Sequence, residues 1–367
     1  MKRVFLMLMC ALFVVAGAQA TDSFSELSKD ITHVFGDIKR GDRLEIANKF
    51  GNVVFRIHKK NEIKALINVK VAAASKQAAT NMLNKVNVKT DVKNSWNYTS
   101  YSIKNNYYGD SNEETKVEIN CVVYIPKDLL AIKVKNEFGN VYIEEYGLPF
   151  EANVRFGDLI AGRLMHNEQM LVSVEYGKLQ IDEAVTINAG VRFGEAKIGR
   201  ADYLNLCLQH SEGSVGDVNT LAADLKHVSD LNIMGVEKVK INELSFTTLN
   251  IESLKSRLDV VAAGGTHSNV KIAVQSAKKF EGIRMNCSFT PVELLLPKDI
   301  VAQCNLSSSN GMVTIKNLPG DNLKDGAFRG KRYSGNLGAK RKGVDYTKLP
   351  KIDIVDSFAN IEVDVVD

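Results

Sequence analysis

The sequence predicts an all-β chain wound into a parallel β-helix, a β-solenoid. It also predicts one short helix near the N-terminus and a hairpin excursion near the C-terminus. Three observations carry this. A corner motif recurs about every 19 residues. Hydrophobic alternation shifts phase by one residue at each corner. The coils lack the three-and-four spacing that a helical array requires.

The motif is clearest at Phe138-Gly139-Asn140-Val141-Tyr142-Ile143. It returns at Phe156-Gly157-Asp158-Leu159, at Tyr176-Gly177-Lys178-Leu179 and at Phe193-Gly194-Glu195-Ala196. Weaker copies follow around Gly213, Ser229, Thr247, Ser268, Thr290 and Gly311. From Gly139 the intervals are 18, 20, 17, 19, 16, 18, 21, 22 and 21 residues. A steady period of this size means stacked supersecondary units.

Before the corner, the inward candidates are Ile132, Val134, Asn136 and Phe138; after it they are Val141 and Ile143, on the other parity. Strand side chains alternate faces, so a phase shift marks a bend between two strands. Glycine suits the bend because it accepts positive φ. A coil of this length gives a perimeter of roughly 60 Å, enough for two or three short strands, and coils stack ~4.8 Å apart.

Four segments follow. Residues 1–20 read as a signal peptide: Lys2 and Arg3, the apolar run Phe5 to Val15, then Ala18-Gln19-Ala20 before a mature start at Thr21. Residues 21–130 read as a β-rich section. It holds an early motif copy at Phe50-Gly51-Asn52-Val53, a helix near 75–86 capped by Ser75, and a Tyr/Asn-rich loop. The helix is expected to cover an open end or side of the coil stack. Residues 131–320 are the regular coils. Residues 321–367 hold a basic excursion and then a final coil at Phe358-Ala359-Asn360-Ile361. Between 321 and 351 nine basic residues face three acidic ones.

Beyond the leader no stretch approaches the ~18 apolar residues of a spanning helix, so no transmembrane segment is expected. The net charge of +4 includes Lys2 and Arg3, which leaves the mature chain too weakly basic for a nucleic-acid partner. Cys121, Cys207, Cys287 and Cys304 stand singly in strand-like runs, which favours isolated buried thiols over two bridges.

Ile125-Pro126-Lys127-Asp128-Leu129 leads into Asn136-Glu137-Phe138-Gly139-Asn140-Val141. Leu296-Pro297-Lys298-Asp299-Ile300 leads in the same way into Asn310-Gly311-Met312-Val313. With the Phe-Gly ladder and the closing Phe358-Ala359-Asn360-Ile361, these residues resemble the bacterial putative-adhesin family, a domain of unknown function. The resemblance covers most of residues 40–367. It implies a single-stranded right-handed parallel β-helix and supplies no catalytic residues. Ala359 stands where the family pattern favours Gly.

Enzymes of β-helix fold that cut acidic polysaccharides need like charges clustered on neighbouring coils. The columns after the corner mix both signs instead, for example Asn140, Asp158, Lys178 and Glu195. No nucleotide or calcium motif is present, so no cofactor is expected. His210, His227 and His267 fall three, two and one residues before their assigned corners, which gives zinc little support. Phe138, Phe156, Tyr176 and Phe193 are expected to stack inside the coils. Two segments are candidate partner-binding sites: the aromatic loop with Trp96, Tyr98, Tyr101, Tyr107 and Tyr108, and the basic excursion with Lys331, Arg332, Lys340, Arg341 and Lys342. The expected function is an exported, non-enzymatic bacterial scaffold, periplasmic or at the cell surface. Its partner would be a glycan or another envelope component. A polysaccharide-cutting enzyme and a purely structural envelope protein are the alternatives.

Overall fold

The computed structural model describes residues 25–107, 115–127, 130–261, 267–317, 327–338 and 348–366. The expected signal peptide lies outside them, as do Tyr108, Lys340, Arg341 and Lys342.

Among the described residues the chain is all-β apart from the single α-helix Lys76–Lys85, and the 24 strands described join one open sheet. The helix starts where the sequence predicts. Ser75 caps it by accepting from the Ala78 N–H at 3.2 Å, and Ala79 and Met82 are its buried residues. The helix packs on the strands Ser25–Gly36 and Glu62–Ala73.

The sheet forms two rows, and the chain passes from one to the other at each corner. In the first row Leu130–Glu137, Phe150–Arg155 and Met170–Glu175 lie parallel, with Ala152 opposite Val134 and Val172. In the second row Val141–Tyr146, Leu159–Leu164 and the first part of Lys178–Arg192 lie parallel, with Ile160 opposite Tyr142 and Gln180; the rest of Lys178–Arg192 continues into the first row beside Met170–Glu175. Partners are thus one coil apart in sequence. Alternate residues point inward, and Val134, Val154, Val141, Leu159 and Leu179 are fully buried between the rows.

The corner glycines do form one column. A Cβ added at Gly139 would overlap the Gly51 carbonyl oxygen. At Gly157 it would overlap the Gly139 oxygen, at Gly177 that of Gly157, and at Gly194 that of Gly177. The reason for glycine differs from the expected one. The positive φ belongs to the preceding residue, from Phe50 at 65° and Phe138 at 59° to His267 at 44°. Glycine is required because successive backbones touch.

Both chain ends depart from sequence order. Asp42–Lys49 and Val53–His58 slot between the coil of Thr99–Tyr107 and Lys116–Pro126 on one side and that of Leu130–Glu137 and Val141–Tyr146 on the other. At the far end Lys351–Asp356 and Ile361–Val366 slot between the coil of Gly282–Cys287 and Val292–Pro297 and that of Ala302–Ser308 and Val313–Lys316. The expected final coil is therefore the penultimate one along the stack.

Antiparallel chain covers each outer edge. Val86–Asn94 lies on Thr99–Tyr107, and Glu62–Ala73 lies on Lys116–Pro126 and carries Ser25–Gly36 in turn. Much of the segment read as an aromatic loop is thus the strand Thr99–Tyr107. In the excursion, Phe328–Gly330 and Arg332–Leu337 continue one another across Lys331. They lie antiparallel on Val313–Lys316 and Ala302–Ser308, instead of folding back as a hairpin. The antiparallel strands Ser25–Gly36, Val86–Asn94, Phe328–Gly330 and Arg332–Leu337 thus replace the parallel coils as the outer strands of the sheet.

The four described thiols are free. Cys121, Cys287 and Cys304 are buried, and burial pushes each up to about 12. Cys207 is exposed, and partial desolvation ahead of Asp224 raises it less. A maleimide at neutral pH is expected to label the folded chain at Cys207 and to reach the other three only on unfolding. Mass spectrometry of labelled peptides checks this; rapid native labelling of Cys121 would contradict it.

Candidate functional site

From Phe50 to Phe289 the residue before the corner takes positive φ, and this turns its ring outward; Phe358 joins the same row without it. Phe50, Phe138, Phe156, Tyr176, Phe193, His210, His227, Phe246, His267, Phe289 and Phe358 form one continuous ladder. Centroids of consecutive rings lie 4.3–5.3 Å apart, and their planes are within 9° of parallel. The expected stack exists, but on the surface: Phe138 is 45% and Phe246 53% exposed. Interior packing fails because a left-handed residue cannot keep its strand's inward direction. Each such residue costs about 1–2 kcal/mol, and a stacked pair returns about 0.5–1.5 kcal/mol.

The ladder also corrects two corners and the histidine placement. The residues that follow the rings are Ser211 and Val228, not Gly213 and Ser229. Gly213 faces the core, where an added Cβ would touch Leu208 and Leu231. His210, His227 and His267 therefore align, as rings in a stack.

Polar atoms build a second ladder beside it. The side-chain oxygen of Asn120 accepts from the Asn52 N–H, Asn52 from Asn140, Asn140 from Asp158, and Asp158 from Lys178, at 2.8–3.0 Å. The column that mixed charges in the sequence thus satisfies corner backbone donors.

A groove of 890 Å³ lies past the corner on the second row, towards the N-terminal end. Outward alternation supplies its floor: half-buried Val54, Tyr142 and Ile160 share one register, and Tyr124 pairs with Arg56 in the next column. The Tyr142 hydroxyl is held by the Asn140 amide at 2.7 Å. His58 stands by Tyr124 with centroids 6.0 Å apart, and its Nε2 is 2.7 Å from the Glu62 carbonyl oxygen. Arg56, Lys127 and Arg163 offer donors at the rim, and Glu144, Glu145 and Asp182 offer acceptors. Arg163 bridges Glu145 at 3.4 Å and Glu183 at 3.2 Å across three coils. Such exposed pairs contribute about 0–1 kcal/mol each. The groove combines an apolar aromatic floor with a rim of both signs. It can hold a molecule with a hydrocarbon face and many hydroxyls.

The described residues among those singled out from sequence do not line this groove. Trp96 is 95% exposed in the turn between two antiparallel strands. Arg43 covers the Tyr98 ring at 4.2 Å. Tyr101 is 7% exposed, against Phe35 and Asp42, and burial followed by the Asp42 charge raises its phenol. Tyr107 is half-buried and meets the ladder edge-on at Phe50. Lys331 and Arg332 are exposed on the C-terminal cap. The groove was missed because its residues come from five strands and share no motif. The one signal was register: Val54, Tyr142 and Ile160 hold the same place after their corners.

No protein-family model matches the chain, and no curated protein matches it either. Solved structures do resemble it. A putative adhesin of Bacteroides fragilis is 11% identical and covers 92% of this chain and 97% of its own, with a TM-score of 0.26. One from Parabacteroides merdae is 11% identical over 73% and 95%, with a TM-score of 0.33. A putative cell adhesion protein of Clostridium sporogenes is 9% identical over 92% and 100%, with a TM-score of 0.17.

Proposed function

We propose that this chain is an exported, non-enzymatic right-handed β-solenoid that acts as an adhesin or envelope interaction scaffold and holds a glycan in the groove over Tyr142. The two-row parallel stacking supports the solenoid, and parallel crossovers in one sheet are right-handed in nearly all cases. The leader pattern of residues 1–20 supports export. The observation that carries the binding role is the groove floor. Tyr124 and Tyr142 offer apolar area to sugar C–H faces, while Arg56, Arg163, Glu144 and Asp182 offer both donors and acceptors to hydroxyls. Alternation of charge along Glu145, Arg163 and Glu183 supports a binding surface over a cluster of like carboxylates.

The test screens the chain from Thr21 against glycans and envelope components. Binding is expected, weakened at least tenfold by Tyr142→Ala with Arg56→Ala, about 1.4 kcal/mol. Turnover of an acidic polysaccharide would replace this reading with the enzymatic one. Neither binding nor turnover would leave a purely structural envelope protein.

A further inference from the structure

The ring ladder is not uniform along its length. Towards the N-terminal end ion pairs flank it: Lys49 with Glu137 at 3.3 Å, and Glu175 with Arg155 at 2.9 Å and Arg192 at 3.8 Å. Lys49, Arg155 and Arg192 also stand 5.3–5.7 Å from the centroids of Phe50, Phe156 and Phe193. Towards the C-terminal end this cover stops. There a groove of 570 Å³ runs along Phe246, His267 and Phe289, bordered by Ser229, Thr248, Asn269 and Pro291. Among the described residues, no Asp, Glu, Lys or Arg lines it.

We propose that this C-terminal half of the ladder is a second binding site, for a rigid, elongated, flat aromatic molecule lying along the coil axis. Phe246, His267 and Phe289 are each sandwiched between two rings, so their faces are taken and their outer edges meet solvent. Ring edges carry the positive end of the quadrupole and attract the face of another π-system. A sugar needs an open ring face, which these three rings do not offer. Four rings from Phe246 to Phe358, at the ~4.8 Å strand pitch, make a straight row of roughly 14 Å. A rigid flat molecule matches such a row and loses little conformational freedom on binding, whereas a flexible chain would lose much. The uncharged border requires no ion to be desolvated.

Thioflavin T, an elongated planar dye that fluoresces when immobilised, is the probe. Titration into the chain from Thr21 is expected to saturate near one dye per chain. Phe246→Asn with Phe289→Asn is expected to weaken binding at least tenfold. Phe138→Asn with Phe156→Asn, at the charged end, is expected to change it less than twofold. Asn accepts the positive φ of these corners, so both pairs remove two rings at comparable strain. Should circular dichroism show that the first pair unfolds, His267→Asn alone must weaken binding at least threefold. Equal losses in both pairs, or none in the first, would overturn the proposal. So would sedimentation showing a dimer that Phe246→Asn with Phe289→Asn dissociates, since a second copy would then occupy the row.

Discussion

Gly157→Val lowers stability by about 3–5 kcal/mol, in the range of the most damaging single substitutions. The new Cβ would overlap the carbonyl oxygen and carbon of Gly139, and both are backbone atoms fixed by pairing on either side. No rotamer change relieves the overlap, so the two coils must part. Each coil holds only its neighbours, so the stack then behaves as two shorter arrays. Urea unfolding followed by circular dichroism should show a lower midpoint and a broader transition. Gly147→Ala is the control. It meets nothing within 4 Å and has no positive φ, so its effect should stay within about 0.5 kcal/mol. Equal effects at both positions would show that the close approach at the corner is not what requires glycine.

Asp356→Ala is expected to cost about 3–5 kcal/mol, the range for stripping one partner from a buried charged network. The carboxylate is fully buried and accepts from the backbone of Thr290 at 3.1 Å, Phe358 at 2.8 Å and Ala359 at 2.7 Å. Two of these bonds shape the corner of the inserted coil, and the third ties that corner to the preceding coil. Alanine leaves all three donors without the acceptor. Asn supplies only one oxygen, so Asp356→Asn should fall between alanine and the native residue. Hydrogen exchange should show residues 351–366 losing protection first, followed by 302–316, which stack upon them. Asp353→Ala, which loses only a bond from Asn305 at 3.1 Å, should cost within about 1 kcal/mol. Unchanged protection in Asp356→Ala would contradict this account of the C-terminal corner.

The coil period was readable because backbone contact fixes one residue per turn. Wherever coils approach closely, at Gly139, Gly157, Gly177 and Gly194, glycine marks the place. Beyond Gly194 that mark fades, since Ser211, Val228, Thr247 and Ser268 take the place instead. The chosen corners therefore slipped to Gly213 and Ser229. The conserved geometry lies one residue earlier, in a left-handed ring. Phenylalanine, tyrosine and histidine meet that need alike, and this equivalence is visible only once His210 stacks on Phe193 at 5.1 Å. The sequence also could not reveal the stacking order at the ends. Phe50-Gly51 reads as an early motif copy, but nothing local says that its coil belongs beside one 88 residues later. That choice is made by non-local pairing and by the buried amides of Asn48, Asn105 and Asn136, which bond one another across three coils. The groove residues were illegible for the same reason, since register brings them together and spacing does not.

The most direct measurement is a disulfide trap between neighbouring coils. In a Cys207→Ser background, Asn153→Cys with Ser173→Cys places two thiols opposite one another, where the native side chains bond at 3.0 Å. Mild oxidation followed by peptide mapping should find rapid, nearly complete linkage of 153 to 173. Asn153→Cys with Leu171→Cys, two residues out of register, should link slowly or not at all. Equal rates, or faster closure of the second pair, would contradict parallel coils stacked one above the next.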